Sequence, residues 1–128
     1  LHIAARRRAT CFSVDSNPYA VVYLARSVAL NRLRGRVVPV LSRVEDFLEV
    51  LPEGSFSRSV VDLPHRSLEY LEPVLRVLRC GGYAHIYALM GESPQVPELR
   101  GARLVEVRRV LDYAPRKYVY GLKLVRAC

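Results

Sequence analysis

The chain has 128 residues, 51% of them hydrophobic and 25% charged, which fits one globular domain or part of one and excludes a low-complexity or disordered chain. No run approaches the roughly 20 apolar residues of a membrane helix and no signal-peptide pattern opens the chain, so no membrane partner is expected. The net charge of +8 comes almost wholly from arginine, with lysine only at Lys117 and Lys123. It favours a polyanionic partner such as RNA, although arginine richness and the scarcity of side-chain amides fit heat adaptation equally well.

Short β-branched runs alternate with helical patterns, which predicts βαβ units and a mostly parallel sheet. Residues 2–8 read as the tail of a helix, and residues 10–15 as a strand. Asn17 suits the cap and Pro18 the first turn of the next helix. Its apolar face repeats at Val21, Leu24 and Val28 and runs to about Arg32. Residues 36–41 read as a strand, and Pro39, which cannot donate a ladder hydrogen bond, predicts that it lies at a sheet edge. A short helix near 44–50, a loop at Pro52–Ser55 and a third strand of buried character at 58–62 follow. Residues 67–79 predict a helix with Leu68, Leu71, Leu75 and Leu78 on one face. Cys80-Gly81-Gly82 reads as a turn, 83–90 as a fourth strand, and 91–101 as a loop or irregular helix. Residues 102–112 and 117–126 predict an antiparallel pair. Cys11, Cys80 and Cys128 are odd in number, widely spaced and without a CxxC pair. They suggest reduced, mostly buried thiols of a cytoplasmic protein rather than a zinc site or a disulfide framework. His2, His65 and His85 lie at no metal-ligand spacing with them.

Three segments carry candidate chemistry. Asp15, in Val14-Asp15-Ser16-Asn17-Pro18-Tyr19, ends a strand just before a helix, where a carboxylate can accept hydrogen bonds from ribose hydroxyls; the same residue would serve as a plain helix cap. Asp62, in Val61-Asp62-Leu63-Pro64-His65, ends a later strand. The Leu-Pro step fixes the backbone there and can present carbonyls and one polar group to a flat base, or simply stop the strand. The run Asp112 to Tyr118 joins basic and aromatic residues that suit RNA contact and equally suit a hairpin tip.

Taken together these segments resemble the archaeal and eukaryotic tRNA (guanine-N1-)methyltransferases. Asp15-Ser16-Asn17-Pro18-Tyr19-Ala20 is similar to their D-x-N-P-x-A motif, and Val38-Pro39-Val40-Leu41-Ser42 to their next strand. Asp62-Leu63-Pro64 is similar to their Asn-Leu-Pro, and Glu69-Tyr70-Leu71 to part of the helix after it. Gly81-Gly82-Tyr83-Ala84-His85-Ile86-Tyr87 and Tyr113-Ala114-Pro115-Arg116-Lys117-Tyr118 complete a colinear set. The resemblance implies an α/β fold: a Rossmann-like class I methyltransferase sheet, mostly parallel with an antiparallel C-terminal strand. It also implies S-adenosylmethionine as cofactor, tRNA as partner and methyl transfer to guanine N1 beside the anticodon. Cofactor-binding residues carried over are Asp15, Ser16, Asn17, Ser42, Arg43, Asp62 and Leu63; Asp62 and Pro64 are carried over as catalytic.

The sequence departs from that family in three ways. The first strand and its glycine-rich cofactor loop, central in the fold, are missing from these 128 residues. We therefore expect residues 1–128 to form a partial methyltransferase domain, from a longer protein or closed by a homo-oligomer that covers the exposed sheet edges. Leu1 in place of methionine points the same way. Arg43 stands where an aspartate usually accepts from the adenine amino group, and an arginine only donates. Asp62 replaces asparagine and, ionised, only accepts. Two further readings stay open: a non-catalytic RNA- or partner-binding module of the same fold, and an aminocarboxypropyl transferase of wybutosine synthesis.

Overall fold

The computed structural model describes residues 9–30, 35–63 and 65–128, in two compact units divided between Val50 and Leu51. The expected helix tail at 2–8, the end of the first helix near Arg32, and Pro64 lie outside the described residues.

The first unit holds β1 (Thr10–Asp15), α1 (Pro18–Leu30), β2 (Arg36–Leu41) and α2 (Val44–Val50). β1 and β2 run parallel in the register Thr10↔Arg36 to Asp15↔Leu41. β2 has β1 as its one hydrogen-bonded neighbour among the described residues, so Pro39 does sit on an edge strand. In α1 the positions Val21, Leu24 and Val28 are half-buried, as their spacing predicts, while Tyr19, Tyr23 and Leu30 are exposed. Among the described residues of this unit Val37 and Leu48 are the buried apolar side chains, and Phe12 and Phe47 approach with ring centroids 6.3 Å apart.

The second unit is a four-stranded sheet in the order β3-β4-β6-β5. β3 (Phe56–Asp62) and β4 (Leu78–Met90) are parallel; β6 (Lys117–Arg126) is antiparallel to β4 and to β5 (Ala102–Ala114). Between β3 and β4 the chain crosses one sheet face as a 3-10 turn (Ser67–Tyr70) and the helix α3 (Leu71–Val77). Alternation puts Ala84, Ile86 and Ala88 of β4 beside Leu122 and Leu124 of β6 on one face. All five are buried, as are Leu71, Val74, Leu75 and Val77, so the core of this unit lies between sheet and helix.

Three expectations are corrected. The helix ends at Val77, and Leu78 turns directly into extended backbone at φ −79°, ψ 142°. Cys80-Gly81-Gly82 therefore belongs to β4 as a bulge rather than to a separate turn: the register jumps from Phe56↔Leu78 to Arg58↔Tyr83. Glycine makes this possible, since Gly81 holds φ +78° and a Cβ on Gly82 would stand 2.9 Å from the carbonyl oxygens of Arg79 and Ser57. Secondly, β3 is not buried in character. Among the described residues it has one neighbour, Val61 is its one buried residue, and Val60 is 56% exposed. Thirdly, Cys80 and Cys128 are not free thiols. The antiparallel return of β6 sets their Cα atoms 5.6 Å apart, and they are joined as a disulfide, leaving Cys11 free. Beside the bridge, Arg126 donates to the carbonyls of Arg76 and Leu78 and pairs with Glu53.

Candidate cofactor and base site

In the first unit two strand ends meet. The backbone N–H of Ser42, just past β2, donates to the carbonyl of Asp15 at 3.0 Å. The Asp15 carboxylate turns back on its own chain: Oδ1 accepts from the N–H of Asn17 at 2.9 Å, while its other oxygen has no partner among the described residues. Asn17 in turn caps α1, its Oδ1 accepting from Tyr19 N–H at 2.9 Å and its carbonyl from Val21 N–H at 3.2 Å. Asp15, Ser16 and Asn17 are all exposed. Asn17 is thus occupied in ending the turn, whereas Asp15 keeps acceptor capacity.

Ser42 Oγ donates to the Arg43 carbonyl at 2.9 Å, and that carbonyl also receives Phe47 N–H at 3.1 Å, opening α2. The Arg43 side chain is 69% exposed and leans on Glu45, Nε to Oε2 3.6 Å. Its guanidinium offers donors only, so this position has no acceptor for an amino group.

In the second unit Asp62 ends β3 opposite Tyr87, exposed and without a side-chain partner among the described residues. Leu63 is 42% exposed. Its backbone is bound tightly into the following turn: the carbonyl accepts from Arg66 N–H (2.8 Å), Ser67 N–H (2.7 Å) and Ser67 Oγ (2.8 Å). Ser67 is wholly buried, and nothing in the sequence marks it, because a serine inside a helical pattern carries no distinguishing signal.

The run from Asp112 to Tyr118 is a hairpin tip, closed by Arg116 at φ +60°. Tyr113 reaches back to His65, with ring centroids 5.5 Å apart, edge to face, and Oη 3.4 Å from Nε2. The late aromatic motif thereby touches the turn that follows β3. Arg109 lies over Tyr118, 3.7 Å from the ring centroid, and the Tyr120 hydroxyl beside it holds its pKa above the ordinary value.

His85 of the Gly-Gly strand lies on the opposite sheet face from α3, with Arg58 Nη1 3.4 Å from its Nε2. Arg58 and Lys123 both approach the Tyr83 ring, at 5.1 and 4.7 Å from its centroid. Burial first, then the charges of Arg58 and Lys123, push the His85 pKa below its ordinary value, with Glu106 opposing them.

The model of the TRM5/TYW2 methyltransferase domain family matches residues 1–110. The chain belongs to that family. This TRM5/TYW2 domain is 28% identical over 124 residues to the tRNA (guanine(37)-N(1))-methyltransferase Trm5b of Methanocaldococcus jannaschii, a match covering 94% of this chain and 35% of that protein. It is 25% identical over 116 residues to the tRNA(Phe) (4-demethylwyosine(37)-C(7)) aminocarboxypropyltransferase of the same organism, covering 81% and 45%. Among solved structures, the M. jannaschii tRNA m1G37 methyltransferase superposes with a TM-score of 0.71 at 26% identity, over 91% of this chain and 37% of that one. The TRM5/TYW2 domain described here thus spans about a third of the length of the Trm5b proteins it matches. The neighbours carry the Rossmann-like methyltransferase fold that the sequence implied, with parallel pairing in β1–β2 and β3–β4 and antiparallel pairing at the C-terminal end.

Proposed function

We propose that this chain is part of an S-adenosylmethionine-dependent tRNA methyltransferase that modifies guanine N1 beside the anticodon, as a divergent family member. The observations that carry the reading are made in each unit by itself: a strand-end aspartate in the first, Asp15, and another in the second, Asp62. Each ends a strand of a parallel pair, and each keeps carboxylate oxygen unpaired among the described residues. In open α/β sheets ligands collect at such strand ends. In the first unit the acceptor of Asp15 suits ribose hydroxyls; in the second, taken separately, the acceptor of Asp62 suits an N–H donor such as an ammonium. Arg43 does not fit an adenine amino group, so adenine would be held by shape and apolar contact, or through another acceptor.

The cofactor supplies an electrophilic methyl group when bound. The protein's task is to orient the guanine ring toward that methyl and to take the N1 proton. Leu63 offers an apolar surface at the end of β3, and its chain neighbour Asp62 offers an acceptor with no partner among the described residues. The Trm5b relatives support the tRNA substrate and the methyl group. The aminocarboxypropyltransferase relative supports a second reading, with the same cofactor and a different transferred group.

Calorimetry of this chain with S-adenosylmethionine tests the proposal, with Asp15→Ala as control. Saturable binding that the substitution weakens is expected. Absence of binding would exclude catalysis by this chain alone and leave a non-catalytic RNA-binding module as the better reading of these residues by themselves. Mass analysis of tRNA incubated with chain and cofactor then separates a gained methyl from a gained aminocarboxypropyl group.

A further inference from the structure

The turn after β3 is at the surface, yet its hydrogen bonds converge on a side chain that is 0% exposed, Ser67. Its Oγ donates to the Leu63 carbonyl at 2.8 Å and accepts from the Leu63 N–H at 3.3 Å. The Leu63 carbonyl also takes the backbone N–H groups of Arg66 and Ser67. A carbonyl has two lone pairs, so three donors saturate it. Both backbone polar groups of Leu63 are therefore used inside the turn, while the Asp62 carboxylate next to it has no partner among the described residues.

We infer that Ser67 is a positioning residue: its buried hydroxyl locks the Leu63 backbone into the turn, so that the turn addresses a ligand through the Asp62 carboxylate and the apolar Leu63 side chain. The inference rests on reading the end of β3 as part of the cofactor and base site. It sharpens what that site can select. An ionised carboxylate accepts hydrogen bonds and donates none. With the Leu63 N–H engaged by Ser67, the residue offers no donor to a ligand carbonyl. The turn then favours groups rich in N–H, such as an ammonium or the N1–H and amino edge of guanine, over groups that present only acceptors.

Amide hydrogen exchange followed by NMR, combined with calorimetry, tests the assignment. In the wild-type chain the Leu63 and Ser67 amides should be protected despite their place in a surface turn; rapid exchange at both would overturn the inference without any variant. Ser67→Ala should speed exchange at Leu63 about tenfold, leave Ile86 and Leu124 at their wild-type rates, and weaken S-adenosylmethionine binding about fivefold to tenfold, the size of one lost hydrogen bond. Equal acceleration at Ile86 and Leu124 would reveal a general packing role and overturn the assignment. Unchanged affinity alongside faster Leu63 exchange would overturn its ligand half. A wild-type chain that binds no cofactor would sink cofactor binding by this chain alone instead, and the exchange data would still decide whether Ser67 locks the turn.

Discussion

Asp15 and Asp62 end their strands with different obligations. Asp15 spends one carboxylate oxygen on the Asn17 N–H, so Asp15→Ala removes both a turn bond and a ligand acceptor. Hydrogen bonds to a charged group contribute about 1.5–3 kcal/mol, and S-adenosylmethionine affinity should fall roughly 10- to 100-fold in calorimetry. Asp62 has no such structural duty. Asp62→Asn keeps one acceptor oxygen and loses the capacity to take a proton. Because the family carries asparagine at this place, the expected result is a KM within a few-fold of wild type and a fall in kcat that stays below the roughly 100-fold of a lost general base. Steady-state methyl-transfer kinetics read the split, and an unchanged kcat would remove Asp62 as proton acceptor.

His85 supplies a pH dependence. Burial and the nearby Arg58 and Lys123 charges lower its pKa in the folded chain, so the unfolded chain binds more protons in the window below the ordinary value of 6.5. Stability from this residue is present above that value and declines as pH falls through the folded pKa. Urea unfolding at neutral pH and near pH 5.5 should show a smaller acid loss for His85→Gln than for wild type. An identical loss in both would show that other groups carry it.

Among the secondary elements, strands and helices were legible where periodicity reports burial. Val21, Leu24 and Val28 mark the half-buried face of α1, and residues 36–41 and 44–50 match β2 and α2. What escaped the reading depends on partners distant in sequence. Gly81 and Gly82 look like a turn until the adjacent strand is known; their freedom serves a bulge against Ser57. Substituting Gly82 by alanine would push a Cβ into two backbone carbonyls, which cannot move aside as a flexible side chain would. Chemical denaturation should show a loss of about 1–3 kcal/mol. Cys80 and Cys128 are 48 residues apart, and only the antiparallel return of β6 brings them together. Reduction, or Cys128→Ser, should cost about 2–4 kcal/mol from loop entropy released in the unfolded chain, visible as a lower Tm in dithiothreitol. In the candidate site, the strand-end placement of Asp15 and Asp62 was readable because polar residues stop β-branched runs. Ser67 was not readable, because its role depends on burial, and the His65–Tyr113 contact joins residues 48 apart.

Over the whole molecule, charge points to the class of partner. A chain of +8 that neutralises about six phosphates of a tRNA should lose about a thousandfold in affinity between about 50 and 200 mM salt. Filter binding across that range measures the slope, and a flat response would show that the arginines serve the chain's own stability.

The strand β5 has a consequence of another kind. It is 13 residues long and exposed from Arg103 to Tyr113, with Leu104, Val105, Val107, Val110, Leu111 and Tyr113 among its outward residues. Such an edge is a template for fibril growth, because a straight strand repeats its donors and acceptors at a constant pitch that a second strand can copy. β5 does not keep that pitch. Its register against β6 slips three times, between Leu104 and Glu106, between Arg109 and Leu111, and between Asp112 and Ala114. Any incoming strand would find no more than about four residues in step before the next irregularity, too few for a cross-β nucleus of six or seven. The bulges thus deny a sticky, arginine-rich edge the constant pitch that a copying strand would need.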